Sequence, residues 1–174
     1  MYAYSAVSTN KAKSVAENPF IRVKIPNSWK LEETSNKILL HHSGECSKAG
    51  DALCEISFDY DVSLSVDELY EKKISPARWL TEYSGECGKL NEYDTKVLDC
   101  SAKAFSYTLN ETDMTCCNYF FTKGIYTINI EVFIYKDCYT EEQLLELLTE
   151  SCTLKNLPSP QTTAETSTTE TSAK

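Results

Sequence analysis

The chain has 174 residues, 41% of them hydrophobic, which is enough for one domain with a buried core. Its 17 Lys and Arg against 26 Asp and Glu leave a formal net charge of −9, with no basic cluster. Neutralising phosphate dominates nucleic-acid affinity, so this balance excludes nucleic acid as a natural partner and disfavours anionic membrane surfaces.

Residues 1–18 are small and polar, without the charged start and continuous apolar stretch of a secretory signal. They are expected to form a disordered segment ahead of a single domain spanning 19–156. The opening Met1-Tyr2-Ala3-Tyr4-Ser5-Ala6 is compatible with a start that replaces a removed signal or lipid anchor. No apolar run approaches the ~20 residues of a membrane span.

Within the domain, Ile21, Val23 and Ile25 alternate with Arg22 and Lys24, a period of two that marks a strand. Pro26-Asn27-Ser28 turns the chain into Trp29-Lys30-Leu31, and further strands are expected over 37–42 and 54–60. Ser65 with Glu68 three residues on is a capping box. Val66, Leu69, Ile74, Ala77 and Leu80 then recur at helical spacing. Ser75-Pro76 predicts either a kink or a second helix starting with Ser75 as its cap. Trp29 on the early strand and Trp79 on the second helical segment are both expected to be buried.

Gly85 and Gly88 close the helical region, and the sheet resumes over 89–93 and 97–100 with a turn between them. Residues 102–109 join 114–122 through the turn formers Asn110-Glu111-Thr112-Asp113. Lys123-Gly124 is a hairpin signal before 125–135, and this turn would set Ile130 opposite Cys117 and Ile128 opposite Tyr119. Thr115, Cys117, Tyr119 and Phe121 then share the core face with Tyr126, Ile128, Ile130, Val132 and Ile134. Ala102, Ala104, Ser106 and Thr108 are small enough to admit a helix over the sheet. That helix is predicted over 141–150. Thr140 and Gln143 cap it, Glu141 and Glu142 suit its positive end, and Leu144, Leu147 and Leu148 form its apolar stripe. A brief extended segment follows. Residues 157–174, rich in Thr, Ser and Pro, are expected to be a disordered tail or stalk.

Four strands, a helix, about five strands and a helix indicate an α+β fold, a mainly antiparallel sheet with helices packed on it. Phe20, Val23, Ile25, Pro26 and Trp29 resemble the opening of the PsbP/Mog-like α/β/α sandwich superfamily. Residues 119–135, followed by Leu144-Leu145-Glu146-Leu147-Leu148 and Ser151, are similar to its final hairpin and closing helix. The superfamily includes a photosystem subunit, a nuclear factor that binds the small GTPase Ran, bacterial envelope lipoproteins of the DcrB type and type VI secretion chaperones. The resemblance implies a binding or assembly module without a shared active site. Eight cysteines depart from the group's pattern.

Those cysteines contain no C-x-x-C, so neither a zinc knuckle nor a thioredoxin-type pair is signalled. The disulfide candidates are Cys46 with Cys54 across a loop, Cys87 with Cys100 across a turn, and Cys117 with Cys152, where the last helix would return over the sheet. Cys116 and Cys138 lack an obvious mate. The alternative is eight reduced thiols acting as small buried hydrophobes. Asp59, Asp61 and Asp67 form a candidate acidic docking patch for a basic partner, set against the plainer reading of a solvated edge. An EF-hand fails there, because Leu64 stands where Gly is needed and Tyr70 where the bidentate Glu is needed. His41 and His42 are adjacent on a strand and diverge, so no metal site is predicted, and no cofactor. Nucleophile–base and phosphate-loop patterns are missing, so no enzyme is predicted.

Two readings follow. The first is a non-enzymatic exported or cell-envelope binding module, braced by disulfides and engaging a protein partner. The second is a cytoplasmic chaperone or adaptor of the same fold with reduced cysteines.

Overall fold

A computed structural model describes residues 14–27, 29–33, 38–42, 54–135 and 138–156. Five strands come first: β1 (Val15–Glu17), β2 (Ile21–Lys24), β3 (Trp29–Glu33), β4 (Ile38–His42) and β5 (Cys54–Asp61). Helix α1 (Val66–Trp79) follows, extended by a single π-helical turn at Leu80–Ser84. Next come β6 (Asn91–Val97), β7 (Cys100–Leu109), β8 (Met114–Lys123) and β9 (Tyr126–Tyr135), then α2 (Glu141–Ser151) and β10 (Cys152–Leu154). Seven strands form one antiparallel sheet in the order β3-β4-β5-β9-β8-β7-β6, and β1-β2-β10 form a small second sheet. The architecture is the expected α+β sandwich.

Alternation along the strands gives the large sheet two different faces. On one, Ile56, Phe58, Tyr119, Phe121, Ile128, Ile130 and Val132 are at most 1% exposed and merge with Leu144 and Leu148 of α2 and with Phe20, Ile21 and Val23 around the small sheet. On the other, Leu69, Tyr70, Ile74 and Ala77 of α1 pack against Phe105 and Phe120. Tyr70 meets both rings edge-on, at 5.7 and 5.3 Å. The faces are called here the α2 face and the α1 face.

Both predicted capping boxes form. Glu68 N donates to Ser65 Oγ while Ser65 N donates to Glu68, and Thr140 and Gln143 do the same. These bonds hold the Glu68 carboxyl below its ordinary range. At Pro76 the helix neither restarts nor stops. Ser75 Oγ instead donates to Glu71 O at 2.7 Å, and α1 runs through to Trp79. Trp79 is therefore not the buried anchor expected from the sequence: it is 58% exposed, two residues beyond buried Ala77 and so on the far side of the helix. Trp29 is buried as expected, against His42 and Tyr139.

Three boundaries move. Val15–Glu17, expected ahead of the domain, pair with β2 as its first strand. The β8–β9 turn is Gly124-Ile125 rather than Lys123-Gly124, with Gly124 at φ 61° in the first central position, where positive φ favours glycine. Cys117 consequently faces Val132, and Tyr119 faces Ile130. A two-residue slip of register preserves the faces, so the predicted core survives it. The expected turn before residue 97 is strand. The chain instead turns at Leu98-Asp99, with φ 51° and 62°. Both residues are left-handed without being glycine, and Leu98 packs against the main core.

Candidate functional site

The predicted disulfide candidates do not converge. Cys87 bridges Leu109 at one end of β7, whereas Cys100 begins that strand nine residues away. At about 3.3 Å per residue, this sets them roughly 30 Å apart along it. Cys117 lies under the start of α2, whose Glu141 acts on it, while Cys152 lies past the other end of that 11-residue helix. Helical rise alone separates those ends by about 16 Å. Cys54 lies on the α2 face between His42 and Ile134. Cys46 lies outside the described residues. Cys54, Cys87, Cys100, Cys116, Cys117 and Cys152 all stand as thiols. Burial pushes four of them (Cys54, Cys116, Cys117 and Cys152) up to about 12. A thiol so protected is neither a ready nucleophile nor a ready metal ligand.

The predicted acids stay at the surface and make mostly local bonds, with Asp67 exposed. Asp61 accepts from Ser63 N at 2.7 Å, Ser63 Oγ at 2.7 Å and Leu64 N at 3.0 Å, which lowers its pKa and shapes the entry to α1. Asp67 pairs with Lys103, and Asp59 accepts from Tyr60 N. No three His, Cys, Asp or Glu side chains converge to hold a metal among the described residues. The histidines diverge as expected. His41 joins Glu55 at 3.0 Å and Glu32 at 3.5 Å, while His42 packs tilted against Trp29 and edge-on to Tyr139.

The more informative feature lies where α1 crosses the sheet. A cleft of about 220 Å³ opens between Lys72, Lys73, Pro76, Ala77 and Leu80 on the helix side and Phe105, Tyr107, Asn118 and Glu131 on the sheet. The strand register lines up one row across its floor: Phe105 beside Asn118, Asn118 beside Glu131, and Glu131 beside Ser57. Asn118 is 2% exposed, and its Nδ2 donates to Cys116 Sγ at 3.3 Å. The Tyr107 hydroxyl hydrogen-bonds the same sulfur. That contact turns Asn118 Oδ1 away from Cys116, and Oδ1 is buried without a partner. On β9, Asn129 is 1% exposed with neither amide atom partnered. An unmade hydrogen bond in such a place costs about 1–3 kcal/mol.

A larger depression of about 610 Å³ near the β6–β7 end is lined by Asp94, Lys96, Lys103 and Thr122 among others. It holds no unpartnered buried polar atom, and its Lys103 is already paired with Asp67. The smaller cleft is therefore the better candidate. Asn118 was not singled out from the sequence. An asparagine in the middle of a strand of aromatic and sulfur residues was the available signal.

No protein-family model matches the sequence, and no curated protein matches it. Solved structures do match in shape. Cyanobacterial PsbP from Synechocystis sp. PCC 6803 superposes with a TM-score of 0.50 at 10% identity, over 87% of this chain and 98% of that one. LpqN, involved in cell envelope biogenesis of Mycobacterium tuberculosis, gives 0.48 at 13% identity, over 79% of this chain and 86% of that one. A protein from Bacteroides thetaiotaomicron VPI-5482 gives 0.47 at 11% identity over 78% of this chain, which spans only 45% of that one. The chain has a PsbP-like fold.

Proposed function

We propose that this protein is a non-enzymatic binding module, exported or attached to the cell envelope, which receives its ligand in the cleft between α1 and the sheet. The observation that carries the reading is Asn118 Oδ1, a buried acceptor without a donor in the lining of an open cleft. Core positions are normally apolar or fully bonded, so a polar group kept unsatisfied beside a cleft points to an absent partner. The protonated, buried thiols argue against nucleophilic chemistry and for a packing role. Export is supported by the Thr- and Ser-rich composition of residues 157–174, which suits a solvated stalk, and by the superfamily resemblance. No described helix is long and apolar enough to cross a membrane.

The test is a small-molecule screen against the isotope-labelled protein, read by NMR. Hits are expected to shift Asn118, Tyr107 and Glu131. Hits that map only elsewhere on the surface would sink the cleft as the binding site. A second reading, a cytoplasmic adaptor, is favoured by the separation of Cys87 from Cys100 and of Cys117 from Cys152. Fractionation of the source cells, with a thiol count under denaturing, non-reducing conditions, distinguishes the two.

A further inference from the structure

We infer that the cleft takes a small zwitterion of free amino-acid size, with its ammonium on Asn118 Oδ1 and the Glu131 carboxylate and its carboxylate on Lys73, with Lys72 beyond. This rests on the binding role proposed above and adds the class of ligand.

Size comes first. A volume of about 220 Å³ lies below the ~300–1,000 Å³ typical of drug-sized sites and equals roughly seven waters at ~30 Å³ each. A peptide or a nucleotide is too large.

Charge comes next. The floor is an acceptor surface: Asn118 Oδ1 has no donor, and Glu131 sits directly opposite Asn118 in the β8–β9 register. Cross-strand neighbours hold their Cβ atoms about 4.5–5.5 Å apart, close enough for the three donors of one ammonium to reach both groups. Glu131 takes part in none of the ion pairs found among the described residues, and its charge already acts on Tyr107 and Cys116. The opposite wall is cationic. Lys73 is half-buried in the lining, and Lys72 stands beside it, near Asp61.

A plain anion would meet Glu131 and the Asn118 carbonyl, and a plain cation would meet two lysines. Only a molecule carrying both charges satisfies both walls. Between them, Phe105, Tyr107, Ala77 and Leu80 provide apolar surface for a short side chain. Asn118 favours this polarity of binding, because its amide nitrogen already donates one hydrogen bond to Cys116 while its carbonyl oxygen has no partner.

The test titrates the labelled full-length protein with glycine, alanine, leucine and phenylalanine, and separately with ethylamine and acetate as half-ligands. At least one amino acid is expected to shift the Asn118 side-chain amide saturably, with each half-ligand binding more than tenfold more weakly. Glu131→Gln and Lys73→Met should each weaken that binding by about tenfold, or ~1.4 kcal/mol, while the unfolding midpoint holds. Asn118→Leu should abolish it. If Asn118→Leu fails to fold, the two charge variants carry the test. Ethylamine or acetate binding in the cleft as tightly as any amino acid would overturn the zwitterion and leave the binding role intact. If none of the six probes shifts the cleft while the wider screen finds another ligand there, the zwitterion again falls alone. If neither the probes nor the screen shifts it, both fall.

Discussion

The two faces of the large sheet are made by the same strands and solve their polar problems differently. On the α2 face, buried Tyr119 and half-buried Tyr93 both donate their hydroxyls to Glu141 Oε1 in the first turn of α2, at 2.7 and 2.5 Å. The row Tyr93–Ala104–Tyr119 places a small residue between the rings, so the first turn of α2 can reach down to both hydroxyls. On the α1 face, Asn118 and Asn129 retain three amide atoms without partners. The α2 face bonds these two hydroxyls and leaves one buried atom, His42 Nδ1 near its β3–β4 edge, without a partner. The α1 face gives up stability beside a cleft, as binding sites commonly do.

The largest expected effect breaks both faces together. Burial raises Cys54, Cys117 and Cys152, along the α2-face core, and Cys116, on the α1 face, from about 9 to about 12. In the unfolded chain these thiols ionise near 9, while the folded state resists ionisation. Their contribution is thus fully present below pH 9 and is lost as pH rises toward 12. Each thiol should remove about 1.4 kcal/mol per pH unit over that window. Urea unfolding at pH 8 and pH 10.5 should show a loss of several kcal/mol. Equal stability at the two values would mean that the thiols are not buried as described.

Phe58→Ala isolates the α2 face. Phe58 is fully buried, and its loss should cost about 3–5 kcal/mol. Ligand binding in the cleft should survive wherever the variant is folded, which calorimetry at low temperature can check.

Glu141→Gln keeps the shape but replaces charge-assisted acceptance of two tyrosine hydroxyls with neutral acceptance. A loss of about 1–2 kcal/mol is expected, including the weaker interaction with the α2 dipole. An unchanged unfolding midpoint would show that α2 is held by its leucines alone.

The smallest change should have the opposite sign. Asn129→Leu removes two unpartnered buried atoms at similar volume, and should raise stability by about 1 kcal/mol. A decrease would mean that Asn129 already has a partner, such as ordered water, and would soften the contrast between the faces.

Much of this comparison was legible in the chain. Alternation in 126–134 identified the α2 face, and its pairing with Cys117, Tyr119 and Phe121 held even though the turn lies one residue later than expected. A two-residue slip leaves the side-chain parity untouched. Both capping boxes were legible because their bonds are local. Trp79 was not, because a stripe counted across Pro76 does not say where the helix rotates after it. The disulfide pairings depended on distances between remote elements, and Cys117 and Cys152 show how a sound helix placed in the wrong direction separates an apparent pair.

By itself the sequence determined most of the elements, the α2 face and the α+β class, since these follow from periodicity and from bonds spanning a few residues. Tertiary structure alone decided the rest. It set Leu98 beside Asp99 in a left-handed turn, a conformation that local preference tolerates at an aspartate but not at a leucine, with Leu98 packed against the core. It brought Glu141 to two tyrosines 48 and 22 residues away. It also laid α1 across β7, β8 and β9 so that Asn118, Glu131 and Lys73 line one cleft. Such a meeting depends on how whole elements stack, and no local pattern in the chain encodes that.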